Sequence, residues 1–372
     1  MIRALEFYSG IGGLHLALAR SRVDAAVIRA YDWDPLACSV YSANHGPNIA
    51  YKTDIANMKA EDIPDADLWL CSPACQPYTV LNPDAKGDRD PRAVSFLHLI
   101  TSVLPDLARA NRAPEQLLVE NVAGFEASTT RTLLRDTLIG LGYHTFELLL
   151  TPLQFGIPNS RLRYYMIARR LPFMASSTPT IHRHVPGRGE PWVDPRHDNE
   201  EQAQTPVDEI SMYLDMPSTS HDQGSKRHEY AIPDRVLEKW GRLFDIVMPS
   251  ARRTCCFTRG YTQLVERAGS ILQENIELDT TEIFDAFLAA QSRGDPKAVE
   301  MLHPLHLRYF TPSELLRLFA FMPPQDLSED KAGGDQAWVW PPGVSRKVQY
   351  RLMGNSVNVQ VVQALIEFLF ER

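Results

Sequence analysis

Cys75 is the residue of this 372-residue chain with the most direct chemical potential. It sits in Ser72-Pro73-Ala74-Cys75-Gln76-Pro77-Tyr78, just after an apolar, strand-like run at 67–71. A thiolate is a nucleophile, and prolines at 73 and 77 hold the residues before them extended and stiffen the loop. The plain alternative for any cysteine is a small buried hydrophobe, which suits Cys71 inside the run better than Cys75 beyond it. Attack needs the ionised thiol, so this reading expects a site that lowers its pKa.

Three further groups join Cys75 if the strands around them are parallel. Tyr8-Ser9-Gly10-Ile11-Gly12-Gly13 lies at a strand-to-helix turn, where glycines let a ligand approach the backbone and the helix start offers free N–H groups. Asp32 ends the second strand, where a ribose hydroxyl partner belongs, Trp33 can stack on a purine, and Asp54 with Ile55 follows the third strand. The glycines alone fit a packing turn equally well; with Asp32, Trp33 and Asp54 a nucleoside pocket is favoured. Glu120-Asn121-Val122 ends the fifth strand and offers a carboxyl to a substrate nitrogen; taken alone it reads as an ordinary loop acid. Arg161-Leu162-Arg163 places two arginines on one strand face, permanent multi-donor forks suited to a carbonyl or phosphate. Arg252-Arg253-Thr254-Cys255-Cys256-Phe257-Thr258-Arg259 mixes cations with an aromatic ring, a combination used on nucleic acids, although chance charge on a helix face gives the same pattern. The spacing of Cys71, Cys75, Cys255 and Cys256 does not match a zinc site, so no metal is expected.

Alternating β and α stretches over 2–170 supply the frame and predict an α/β fold with a doubly wound, mostly parallel sheet. Within it Pro105 is expected to kink or end a helix over 97–109. The pattern breaks near Leu171, and 171–225 reads as largely loop. Helices are expected over 233–244 and 281–291, a capping box at Thr311-Pro312-Ser313-Glu314, and a last buried helix over 357–370. The expected organisation is 1–170, a smaller inserted unit 171–306, and a return to the first unit over 307–372.

The formal charge is −8, which by itself disfavours a nucleic-acid partner. Yet residues 190–222 hold nine acids against one base, Arg196, and account for all of it. Residues 225–260 carry eight Lys/Arg against four Asp/Glu. A weakly basic nucleic-acid face is therefore expected there, with modest, salt-sensitive affinity and the acidic stretch directed elsewhere. Five cysteines without a framework spacing fit a reducing compartment, no leader is apparent, and no apolar run is long enough to span a membrane.

Taken together the motifs resemble the cytosine-C5 methyltransferase family, in its order of glycine turn, Asp32-Trp33, Pro-x-Cys-Gln, Glu-Asn-Val, Arg-x-Arg and Gly354-Asn355-Ser356-Val357. Cys256-Phe257-Thr258-Arg259-Gly260-Tyr261 and Glu120–Glu126 resemble its tRNA-methylating branch, and the likeness covers all but about 171–225. It implies a Rossmann-like class I fold with a target-recognition domain at 171–306. S-adenosylmethionine would be held by Tyr8, Ser9, Gly10, Ile11, Gly12, Gly13, Asp32, Trp33, Asp54, Ile55 and Ser72, with Asn355, Ser356 and Val357 closing the site. Cys75 would attack C6 of cytosine, Glu120 would bind N3 and the exocyclic amine, and Arg163, beside Arg161, would hold O2. Gln76, Arg252, Arg253, Cys256, Phe257, Thr258 and Arg259 would meet the substrate. The branch acts on cytosine 38 of aspartate tRNA, in a loop whose bases are already splayed. A monomer in cytoplasm or nucleus is expected. Ala74 departs from the family's Pro-Pro-Cys and frees the loop, and Tyr78 stands where phenylalanine is common; neither removes a reacting group. DNA as substrate, and a catalytically silent binding protein, are the alternatives.

Overall fold

The computed structural model describes residues 1–78, 87–174, 181–188, 206–216, 228–263, 268–325 and 337–371. Most of the acidic stretch 190–222, and Lys226 and Arg227 of the basic one, lie outside the described residues.

Seven strands form one sheet: β1 (Ile2–Phe7), β2 (Ala25–Asp32), β3 (Ala50–Lys52), β4 (Leu68–Cys71), β5 (Gln116–Val122), β6 (His144–Leu150) and β7 (Arg163–Arg169). Their order is β3-β2-β1-β4-β5-β7-β6. Every neighbouring pair is parallel except those of β7, which runs antiparallel to both β5 and β6. That reversal brings the start of β7 to the same edge as the ends of β1, β4 and β5. Along the central strands side chains alternate between two buried faces, while the edge strand β3 is largely exposed. Leu5, Phe7, Trp69, Leu117 and Val119 join the core under α3 (Val94–His98), α4 (Leu104–Arg109) and α5 (Thr129–Gly140). Ala4, Leu68, Leu70 and Leu118 face α1 (Gly13–Arg20) and α2 (Pro35–His45).

Pro105 does not end its helix, but the helix over 97–109 is interrupted just before it. A π turn at Leu99–Val103 joins α3 to α4, and Pro105 falls in the first turn of α4, where its missing N–H costs least. Beyond β7, α6 (Asp234–Trp240) is shorter than expected and passes into a 3-10 turn at Gly241–Leu243. α7 (Thr280–Ser292) follows, and β8 (Ile246–Val247), β9 (Ile271–Gln273) and β10 (Leu307–Arg308) make a second sheet. β10 pairs antiparallel with β9, Leu307 opposite Gln273 and Arg308 opposite Leu272. α8 (Pro312–Leu318) starts from the expected capping box: Thr311 Oγ1 accepts from Glu314 N at 3.1 Å, and Glu314 Oε2 accepts from Thr311 N at 2.8 Å. α9 (Arg346–Gly354) and α10 (Val359–Leu369) complete the chain, α10 lying beside α1 with Asn358 as its N-cap. The core on this face runs without a break from α1 and α10 to Phe257, Tyr261 and Phe287.

Candidate active site

The glycine turn performs two tasks that its sequence alone could not separate. Gly12 (φ +86°) and Gly13 are glycine for packing. A Cβ on Gly12 would fall 2.3 Å from His45 Nε2, and one on Gly13 would fall 2.7 Å from Val357 Cγ2. Gly10 (φ +54°) faces open space, so its bare backbone is available to a ligand. Its N–H donates to Asp32 Oδ2 at 2.8 Å, and Asp32 Oδ1 accepts from Asp34 N at 2.9 Å. Burial nonetheless pushes the Asp32 carboxyl up. Tyr8, also left-handed at φ +59°, donates from its hydroxyl to Ser95 Oγ at 3.2 Å, and its carbonyl accepts from Ser72 Oγ at 3.0 Å. Ser9 is buried with its hydroxyl unpartnered among the described residues, and the Trp33 ring at the end of β2 is 75% exposed. Asp54 caps the 3-10 turn at Ile55–Asn57 and accepts from Ala56 N at 3.0 Å; Ile55 is buried. This edge therefore offers a bare backbone, an acid, a free hydroxyl and an exposed ring.

Cys75 lies beyond β4 on the same edge. Its loop is tied to β5 by Asn121, whose Nδ2 donates to Pro73 O at 3.3 Å. Glu120 and Arg163 are diagonal neighbours across the β5–β7 ladder, with Arg163 Nε 3.5 Å from Glu120 Oε1. Cys75 feels both. Burial pushes its thiol up, Arg163 and Arg161 pull it down, and Glu120 opposes them, leaving it above the ordinary thiol value. The expectation of a thiol lowered in the free protein is thus not met: desolvation outweighs the arginines until something changes the balance. Burial likewise raises the Glu120 carboxyl against the pull of Arg163 and Arg161. A carboxyl biased toward its protonated form can donate to one nitrogen while accepting from another.

Arg161 precedes β7, so the two arginines do not share a strand, yet both reach one sulfur. Arg161 Nη1 is 3.3 Å and Arg163 Nη2 is 3.4 Å from Cys256 Sγ. Arg161 is otherwise spent on the chain itself. It donates to Phe257 O at 2.9 Å and Gly354 O at 3.2 Å, and also to Ser356 O, with Phe319 against its guanidinium. It binds the 256–257 segment to the 354–357 segment, and its buried Nε has no hydrogen-bond partner among the described residues. Gly354 shows why those segments must meet: a Cβ there would lie 2.1 Å from Thr258 C and 2.2 Å from Arg259 N.

The residues expected to meet substrate divide. Gln76 shares the Cys75 loop, and Cys256 is half-buried at the arginines. Phe257 is corrected: it is fully buried against Tyr261 and Phe310, a core ring rather than a base-stacking one. Thr258 is half-buried and Arg259 exposed. Arg252 is bound to its own chain, donating to Val207 O and to Glu209 Oε1 at 2.9 Å. Arg253 is exposed and makes no hydrogen bond or salt bridge among the described residues. Sequence reasoning passed over Asn121 as a loop anchor and over the Arg351–Asp34 pair, at 2.6 Å, that joins α9 to the cap of α2. No sequence signal could have found a pair so far apart along the chain.

The model of the C-5 cytosine-specific DNA methylase family matches residues 2–371. The chain is 39% identical over 372 residues to a "tRNA (cytosine(38)-C(5))-methyltransferase" of Schizosaccharomyces pombe, covering 100% of this chain and 97% of that one. It is 33% identical to a "DNA (cytosine-5)-methyltransferase" of Dictyostelium discoideum, covering 99% and 94%. Among solved structures, that of the S. pombe Dnmt2 methyltransferase superposes with a TM-score of 0.74 at 37% identity, over 99% and 98% of the two chains. Matched end to end, with thiol, carboxyl and guanidinium gathered at one sheet edge, the chain belongs to the cytosine-C5 methyltransferase family.

Proposed function

We propose that the protein is a tRNA cytosine-5 methyltransferase that acts on cytosine 38 in the anticodon loop of aspartate tRNA through a covalent bond between Cys75 and C6. It works as a monomer in cytoplasm and nucleus, with residues 171–306 as its target-recognition part. The observation that carries this reading is the meeting of Cys75, Glu120 and Arg163 at the edge where β4 and β5 end and β7 begins. The relative named for tRNA cytosine 38 supports the choice of substrate.

The cofactor edge fits S-adenosylmethionine. Asp32 suits ribose hydroxyls, Trp33 suits a purine face, and Gly10 and the unpartnered Ser9 hydroxyl suit the amino-acid portion. When bound there it supplies an electrophilic methyl group. The chain's own residues prepare the base. Glu120, protonated, donates to N3 and accepts from the exocyclic amine, while Arg163 holds O2. Cys75 gives its proton to water as its sulfur bonds to C6, and proton donation from Glu120 to N3 draws the C5–C6 electrons so that C5 becomes nucleophilic. After methylation water takes the C5 proton, the C5–C6 double bond re-forms, Cys75 leaves as a thiolate and N3 returns its proton to Glu120. The base must leave its stack to expose C6.

Incubation with labelled S-adenosylmethionine, total RNA and duplex DNA tests the substrate, and label found mainly in DNA refutes it. RNA containing 5-fluorocytosine should trap a covalent adduct with the wild-type protein and none with Cys75→Ala; absence of any adduct refutes the mechanism.

A further inference from the structure

Two guanidiniums, that of the buried Arg161 and that of the half-buried Arg163, lie side by side, which requires counter-charge. Glu120 is one candidate, but burial biases its carboxyl toward the neutral form. The second candidate is Cys256. Its sulfur receives N–H donors from Arg161 at 3.3 Å and Arg163 at 3.4 Å. The acceptor within reach of its own proton is the Phe257 carbonyl, 3.7 Å away, and Arg161 already donates to that oxygen at 2.9 Å. A sulfur that accepts from two cations and has a poor place to donate is placed as an anion.

We propose that Cys256 is a thiolate counter-ion for Arg161 and Arg163, and that by engaging Arg163 it keeps Cys75 a thiol in the RNA-free protein. Cys256 is then a positioning residue, not a nucleophile and not an RNA contact. The electrostatics agree: burial pushes Cys256 up, but Arg163 and Arg161 more than reverse this and leave it below the ordinary thiol value. Burial and the Asp245 carboxyl beside it push the neighbouring Cys255 up to about 12, against the weaker pull of Arg253. Other charged or titratable groups around the pair are Glu120, Cys75 and Tyr165. Cys75 and Cys256 both draw on Arg163, so removing the Cys256 charge leaves Arg163 free to stabilise a Cys75 thiolate.

This inference rests on Cys75 as the attacking group, but its test does not need turnover. The full-length protein, free of RNA, is labelled with iodoacetamide between about pH 6 and 10, and each cysteine is quantified by peptide mass spectrometry. In wild type, Cys256 should react at lower pH than Cys255. In Cys256→Ser the Cys75 labelling curve should move down by about one pH unit, or roughly tenfold faster labelling at neutral pH. Cys256→Asp, which restores an anion, should return it toward the wild-type position. A Cys75 curve unchanged or raised in Cys256→Ser overturns the proposal, since neither packing nor RNA contact would lower it. If Cys256→Ser does not fold, the wild-type comparison decides, and Cys256 reacting no earlier than Cys255 overturns it. Failure of the broader reading looks different: methylation would survive Cys75→Ala whatever the labelling curves show.

Discussion

Glu6 makes the stability of this protein depend on pH in a calculable way. It is fully buried on β1 beneath the glycine turn, and its Oε2 accepts from the Tyr41 hydroxyl at 2.8 Å. Burial pushes its carboxyl up to about 8 from 4.5, against the pull of Tyr41 and of the His15 and Leu14 amides. The folded protein therefore keeps a proton that the unfolded chain releases once the pH passes about 4.5. Stability from that proton is fully present below this value and is lost as pH rises through about 8. Each pH unit in this window removes ~1.4 kcal/mol, so pH 6 to pH 8 removes roughly 2–3 kcal/mol, a large share of a domain's net stability. Glu6→Gln keeps the size and a hydrogen bond to Tyr41 but cannot titrate. Urea unfolding of both proteins at about pH 6, 7 and 8 separates Glu6 from all other groups, because those cancel in the difference. The substituted protein should gain roughly 2–3 kcal/mol on wild type across the range. Parallel curves would show that Glu6 is ionised when folded and would refute the reasoning. Burial pushes the neighbouring His15 down to about 3 and His45 down to about 4, so both stay neutral when folded throughout this window.

Two further outcomes follow from the geometry. Gly354→Ala puts a methyl group against the backbone of Thr258 and Arg259, which cannot swing aside as a side chain would. It should cost about 1–3 kcal/mol in urea unfolding and lower methylation more than Gly140→Ala, where nothing lies within reach; equal effects would show that the two segments separate freely. Arg253→Ala should weaken tRNA binding and reduce the slope of log affinity against log salt by about 1, whereas Arg252→Ala, already paired with Glu209, should change the slope less. A larger loss in Arg252→Ala, measured by filter binding over a salt series, would reverse the assignment.

Local chemistry was legible in the sequence because it depends on neighbours along the chain. The strand-to-helix turn with Gly10, the Thr311 capping box and the alternation of β and α over the first 170 residues each rest on a few consecutive residues, and the motifs placed Cys75 and Glu120 on one sheet edge. The sequence also isolated the acidic stretch that carries the net charge. What it left undecided are contacts between residues far apart along the chain. A glycine's purpose depends on what stands opposite it: His45 and Val357 press on Gly12 and Gly13, while Gly10 faces open space. Pro105 signals a kink or an end in the helix over 97–109, but the π turn that lets the chain run on into α4 has no signature in residue type. Phe257 and Arg252 looked like ligand contacts until folding put one in the core and paired the other with Glu209. Ionisation is the furthest from sequence of all. Cys75, Cys255 and Cys256 are the same residue type, and burial with the nearby Glu120 and Asp245 sends the first two up, while hydrogen bonds from Arg161 and Arg163 send the third down.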